Sequence, residues 1–338
     1  MHSTGDSSRT LAHRPLGRTG RSVSVVGLGT WQLGADWGDV DPATARAILD
    51  AAAGAGVTFF DTADVYGDGR SESAIGAWMA DNPGHGVTVA TKMGRREAQV
   101  PENFTLAAFT GWTDRSRRNL GVETLDLVQL HCPPTPVFSS DAVYDALDSL
   151  VQSGAIAAYG VSVETCDEAL AAIARPGTST VQIILNAFRL KPLDAVLPAA
   201  IAAGVGIIAR VPLASGLLSG RYTAETRFAA DDHRNYNRDG SAFDVGETFS
   251  GVDFAQGVAA AQEFAALADQ TGLTTPQAAL AWVAQLEGVS SVIPGARSVE
   301  QAVSNAEAGS ADALPTSFSP AISALYDRYF RESVHPRW

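Results

Sequence analysis

From Val25 onward the chain alternates short apolar runs with longer stretches of helical periodicity. The apolar runs predict strands at Val25–Leu28, Thr58–Phe60, Val87–Thr91, Leu125–Leu130, Ala158–Val161, Val181–Leu185, Gly206–Ala209 and Ser291–Ile293. The intervening stretches carry helix-start signals. Asp41-Pro42 offers an N-cap followed by proline at the first helical position. Thr165 with Glu168, and Ser298 with Gln301, fit a capping box. Thr275-Pro276 is expected to open another helix in the manner of Asp41-Pro42. Eight strands, each followed by helical sequence, predict a parallel sheet with right-handed crossovers, and eight is the number that closes a barrel. The expected fold is therefore α/β, a (β/α)8 barrel of the TIM type.

Two segments depart from this alternation. Arg14–Ser24 sets a glycine-rich turn between two short extended pieces, which predicts a hairpin plugging the bottom of the barrel. The 44 residues from Arg210 to Asp253 lack clear periodicity and carry Arg210, Arg221, Arg227, Arg234 and Arg238. A loop of that length is usually functional or disordered, and its arginines suit either an anionic ligand or a solvated surface. Residues 1–13 are polar without an apolar stretch and are expected to be a mobile tail, with 14–338 forming one barrel domain.

Composition narrows the partners. The chain has 338 residues, 46% of them hydrophobic and 18% charged, enough for a large core. A formal net charge of −13 disfavours nucleic acid, which needs a basic face. Two cysteines, Cys132 and Cys166, make no disulfide framework and suit a reducing cytoplasm. The longest run free of charged residues, Gln270–Leu286, is too punctuated for a membrane span. Oligomeric state cannot be read from these patterns.

In a barrel, chemistry gathers at the C-terminal ends of the strands. Asp61 follows the second predicted strand, with Tyr66 five residues later in DTADVYGDG. Lys92 follows the third and His131 the fourth. Singly, each admits a structural role: a turn cap for Asp61, a loop aromatic for Tyr66, a rim ammonium for Lys92, a core histidine for His131. Together they form a coherent proton donor. An ammonium beside a phenol lowers its pKa, a carboxylate holds the ammonium, and an imidazole orients a carbonyl against the phenol. Carbonyl reduction also needs a hydride source, which no side chain supplies. The usual Rossmann fingerprint is absent, since Gln32 stands where the third glycine after Gly27-Leu28-Gly29 belongs. No GxxxxGK[ST] loop occurs, and neither HExxH nor CxxC suggests a metal site.

Over roughly residues 14–310 the chain resembles the aldo-keto reductase family, in its bacterial branch. The matching stretches are LGRTGRSVSVVGLGTWQLG, GVTFFDTADVYGDGRSESAIG, TKMG, LDLVQLH, YGVS, VPLASGLLSGRY and IPGARSVEQAVSNA, in the family's order. The resemblance implies that Tyr66 is the general acid, Lys92 tunes it, Asp61 anchors Lys92 and His131 orients the carbonyl. It implies an NADPH/NADP+ site across the C-terminal face, with Gly29, Thr30, Trp31 and Asp61 among the cofactor-binding residues and Ser162 and Gln182 on the carboxamide. Arg210 stands where relatives place an aromatic ring, and a guanidinium can stack there too. Val211, Pro212, Leu213, Ser215, Gly216, Leu218, Gly220 and Arg221 match the loop over the pyrophosphate. Gly295, Arg297, Ser298, Gln301 and Asn305 would take the 2′-phosphate and adenosine. Trp31, Tyr66 and His131 would line the substrate pocket.

One departure is Val163, where the family often has asparagine. Another is Arg221 in place of the clamp's lysine. The function implied is NADPH-dependent reduction of a small-molecule aldehyde or ketone. A nicotinamide-binding regulatory subunit with little turnover, and a dehydrogenase working mainly toward alcohol or sugar oxidation, stay open as alternatives.

Overall fold

The structure is a computed structural model describing residues 10–34, 40–230, 232–242 and 244–338. It opens with an antiparallel hairpin, β1 (His13–Pro15) and β2 (Ser22–Ser24). Eight parallel strands follow: β3 (Leu28–Gly29), β4 (Phe59–Asp61), β5 (Thr88–Met93), β6 (Leu127–His131), β7 (Tyr159–Ser162), β8 (Thr178–Ile184), β9 (Gly206–Arg210) and β10 (Val289–Val292). Each pairs with the next in sequence. Parallel bridges from Val26 to Val292 and from Gly29 to Gly295 join the first to the last and close the ring.

The helices are α1 (Pro42–Gly54), α2 (Arg70–Asp81), α3 (Leu106–Leu120), α4 (Asp141–Gln152), α5 (Cys166–Ile173), α6 (Val196–Ala203), α7 (His233–Tyr236), α8 (Phe254–Ala268), α9 (Thr275–Gln285), α10 (Val299–Glu307) and α11 (Phe318–Tyr329). No helix among the described residues is long and apolar enough to cross a membrane.

The barrel floor is filled from outside the ring. Leu16 and Val23 of the hairpin are fully buried and cluster with Phe59, Ala90, Leu127, Ala158, Ile208 and Ile293 from the strands. Gly17 at the hairpin tip, with φ 51°, lies so close to the starts of β8 and β9 that a Cβ would stand 2.0 Å from the Ser179 carbonyl oxygen. A second, larger core packs the helices on the outer face of the strands.

Several boundaries differ from expectation. Lys92 lies inside β5, and Asp61, His131, Ser162 and Arg210 are the last residues of their strands rather than the first of the loops. Ladder hydrogen bonds carry the strand past the end of the apolar run, because polar residues are accepted where the barrel opens. β8 begins at Thr178, three residues before its apolar run, and all seven of its residues are buried. Of the expected tail, residues 1–9 lie outside the described residues, whereas Leu11 is buried in the core and His13 already pairs with Ser24.

The caps at Asp41 and Thr165 form as expected, the latter with Glu168 as a full capping box. At α9 the cap is Thr274 rather than Thr275, because Gln277 lies three residues on and returns its oxygen to the Thr274 N–H. At α10 Ser298 accepts from the Gln301 N–H, but the Gln301 side chain accepts from the Arg297 N–H, one residue out of register with a capping box.

Candidate active site

β4, β5 and β6 deliver their end residues to one place. Asp61 and Lys92 are both almost fully buried, with Lys92 Nζ 2.5 Å from Asp61 Oδ1. The same ammonium donates to the Thr62 carbonyl at 3.0 Å and to the Tyr66 hydroxyl at 3.3 Å. Asp61 Oδ2 accepts from Gln129 Nε2 at 3.1 Å and Gln182 Nε2 at 2.8 Å. Each ammonium or amide therefore serves the carboxylate from a different strand, and the sheet register fixes their spacing.

Tyr66 sits beyond β4 on a tight turn. Gly67, with φ 59°, approaches Gly34 so closely that a Cβ would lie 2.0 Å from the Gly34 carbonyl oxygen. Glycine is needed there, and the contact docks the Tyr66 turn against the turn carrying Trp31. The Trp31 and Tyr66 rings stack with centroids 6.2 Å apart, and His131 meets the Tyr66 ring edge-on at 6.0 Å.

The electrostatics correct one expectation. Burial raises the Tyr66 pKa by more than Lys92 lowers it, so the phenol lies above its ordinary value rather than below. Burial works against the Lys92 ammonium, but Asp61 and Tyr66 together carry its pKa above the usual value. His131 is held well below the ordinary histidine range by burial, then by Arg95, Lys92 and Arg210, so its ring is neutral. Its Nδ1 is buried without a hydrogen-bond partner among the described residues.

A cavity of about 580 Å³ runs from this cluster across the C-terminal face. Of the residues expected around cofactor or substrate, Gly29, Thr30, Trp31, Asp61, Tyr66, Gln182, Arg210, Val211, Pro212, Leu213, Ser215, Gly216, Arg221, Gly295, Arg297, Gln301 and Asn305 line it. His131, Ser162, Leu218, Gly220 and Ser298 do not. His131 packs edge-on against the Tyr66 ring. The Ser162 hydroxyl is turned to the chain, accepting from the Cys132 N–H and donating to the Leu130 carbonyl. Leu218 is in the core, Gly220 packs on Thr275, and Ser298 is occupied as the α10 cap. Gln182 faces the cavity, yet its amide N–H already serves Asp61.

Two further wall residues gave no periodic or motif signal. Glu247 and His233 come from the long segment after β9, and His233 lies against Trp31 with centroids 5.3 Å apart. Arg234 also lines the cavity and is bonded to Asp232 and the Tyr222 hydroxyl.

The far end of the cavity fits an anionic dinucleotide. Arg221, Arg234 and Arg297 gather there in a chain of net charge −13, beside the N-terminus of α10. Small residues let a ligand lie close to the backbone. Gly216, with φ 95°, leaves no room for a Cβ, which would stand 2.2 Å from the Tyr222 hydroxyl.

Comparisons with known proteins agree with this fold. An oxidoreductase of Mycobacterium tuberculosis is 33% identical over 290 residues, covering 82% of each chain. The solved glycerol dehydrogenase of Gluconobacter oxydans is 28% identical, with a TM-score of 0.77 over 98% of this chain and 99% of that one. An aldo-keto reductase of Klebsiella pneumoniae, solved in complex with NADPH, shares the fold at 23% identity, with a TM-score of 0.69 over 94% and 95% of the two chains. The model of the Aldo/keto reductase family matches residues 25–327, spanning the barrel from its first strand to α11, and the chain belongs to that family.

Proposed function

We propose that the chain is an NADP(H)-dependent reductase of aldehydes or ketones with Tyr66 as general acid. The observation that carries this reading is the single buried ammonium of Lys92, shared between Asp61 and the Tyr66 hydroxyl. NADPH, when bound, supplies hydride to the carbonyl carbon. The Tyr66 hydroxyl donates its proton to the carbonyl oxygen as negative charge develops there.

A raised pKa suits that task, because the phenol stays protonated until the substrate oxygen demands the proton. The Lys92 ammonium then offsets the negative charge left on the Tyr66 oxygen, and Asp61 keeps Lys92 in place. The neutral His131 ring fixes the Tyr66 ring from its edge and orients the carbonyl, while Trp31 walls the pocket. Gly29, Ser215, Gly216 and Gly295 would let the dinucleotide lie along the cavity, with Arg221 and Arg297 on its phosphates.

Alcohol oxidation by the same residues in reverse is a second reading, favoured by the likeness to a glycerol dehydrogenase along almost the whole chain. The test is absorbance at the reduced-nicotinamide band with aldehydes and diketones, then alcohols with NADP+. Tyr66→Phe is expected to lose turnover by about 10²–10⁴-fold while NADPH binding, read by fluorescence, is kept. Full turnover in that variant would remove Tyr66 as the acid.

A further inference from the structure

Arg210, the last residue of β9, lines the cavity but is itself only 6% exposed. It lies between two carboxylates from different loops. Its Nη1 lies 2.8 Å from Glu247 Oε1, and its Nη2 lies 3.0 Å from Glu164 Oε2. Arg95 closes the group, with Nη2 3.4 Å from Glu164 Oε1 and Nε donating to the His131 carbonyl. Two guanidinium ions and two carboxylates thus form a partly buried cluster of zero net charge, with Arg210 at its buried centre. Of the carboxylates, Glu247 faces the cavity.

The cluster is within electrostatic reach of the reacting end. Glu247 raises the proton affinity of Tyr66, and Arg210 lowers that of His131. A ring that delivers hydride to a carbon whose oxygen Tyr66 protonates must lie beside Tyr66, in the cavity that Arg210 and Glu247 also line. That ring is neutral before transfer and positive after it. An unbalanced Arg210 would repel the oxidised ring and leave the reduced ring unaffected, whereas an unbalanced carboxylate would do the opposite.

We propose that Glu247, backed by Glu164, cancels the charge of Arg210 and thereby sets the relative affinity of the site for oxidised and reduced cofactor. The inference rests on the reading above, that a nicotinamide occupies this end of the cavity. It assigns Glu247 and Glu164 as positioning and charge-balancing residues, with no proton or hydride passing through them.

A purely structural role makes a different prediction. The Glu247 carbonyl accepts from Ser215 Oγ, which in turn accepts from the Phe249 N–H, so Glu247 also ties the segment after β9 to the loop at 211–216. Loosening that tie weakens both cofactor forms by one factor. Charge imbalance weakens one form selectively.

The experiment is fluorescence or calorimetric titration of the purified full chain with NADPH and with NADP+, without substrate. In Glu247→Gln the ratio Kd(NADP+)/Kd(NADPH) is expected to rise about tenfold or more, the effect of one unit charge at close range in a partly screened site. Arg210→Met is expected to move the ratio the opposite way, and the double variant to return it toward the parent value. Glu164→Gln, farther from the ring, is expected to shift it in the same direction as Glu247→Gln and by less. It serves as the test if Arg210→Met does not fold.

Equal changes in both Kd values, or shifts of the same sign in Glu247→Gln and Arg210→Met, would overturn the charge-balance role and leave the cofactor reading intact. A parent chain that binds neither form would overturn both.

Discussion

Replacing Lys92 by methionine keeps the unbranched stem and deletes the ammonium at the centre of the site. Side-chain exposure is 2% for Lys92 and 3% for Asp61, so water cannot take over the charge. Asp61 would keep the Gln129 and Gln182 amides on Oδ2 but lose the partner of Oδ1, and the Thr62 carbonyl would lose its donor. Breaking a buried pair from one side costs about 3–5 kcal/mol, because the other charge is stranded. With an unfolding entropy of about 2.1 cal/mol/K per residue, a chain of 338 residues shifts by about 1.4 °C per kcal/mol, so the melting temperature should fall by about 4–7 °C. In the double variant Asp61→Asn/Lys92→Met neither charge is buried, and an amide at 61 can still accept from the two glutamines. It should recover at least half of the loss. The assay is urea and thermal unfolding of the parent, both single variants and the double, read as a double-mutant cycle. A Lys92→Met variant as stable as the parent, or a double variant no better than Lys92→Met alone, would refute the claim that Asp61 depends on this ammonium.

Two further outcomes follow from other charged groups. Asp64 is fully buried with neither carboxylate oxygen hydrogen-bonded among the described residues, and burial, then Glu72, push its pKa up to about 7 against the pull of Arg96 and Arg115. Between about pH 4 and pH 7 the folded chain keeps a proton that the unfolded chain releases, so this group makes stability fall as pH rises through that window. Asp64→Asn should therefore melt above the parent at pH 8 with no such gain at pH 4, and an unchanged pH profile would refute the assignment. Arg297→Ala should weaken NADPH by roughly tenfold while NADH changes little, as expected for one partly exposed charge on a 2′-phosphate. Equal loss of both cofactors in a binding titration would show that Arg297 reads something else.

The barrel and the cluster of Asp61, Lys92, Tyr66 and His131 were legible because both leave local signatures. β-strands announce themselves as apolar runs, and Asp61, Tyr66, Lys92 and His131 each stand at or just beyond the end of one. The capping residues Asp41 and Thr165 act within a few residues of themselves, so their partners were readable too. What escaped depends on distance in the chain. Glu164 and Glu247 converge on Arg210 from loops more than eighty residues apart, and no period or spacing connects them. The sign of the Tyr66 shift escaped for a related reason. A sequence places an ammonium near a phenol but says nothing of how thoroughly the phenol is buried, and here burial is the larger effect. Ser162 shows the limit of motif reading: its position is as expected, but its hydroxyl is spent on the neighbouring strand.

The hairpin that fills the barrel floor also governs traffic. With Leu16 and Val23 filling the lower end and Gly17 wedged against the starts of β8 and β9, the hairpin closes the floor beneath the cavity. Tyr66 is therefore approached from the C-terminal face, where His233 and Arg234 also line the cavity. By filling one end of the barrel, the hairpin fixes the face from which a ligand is approached as firmly as do the residues that line the cavity.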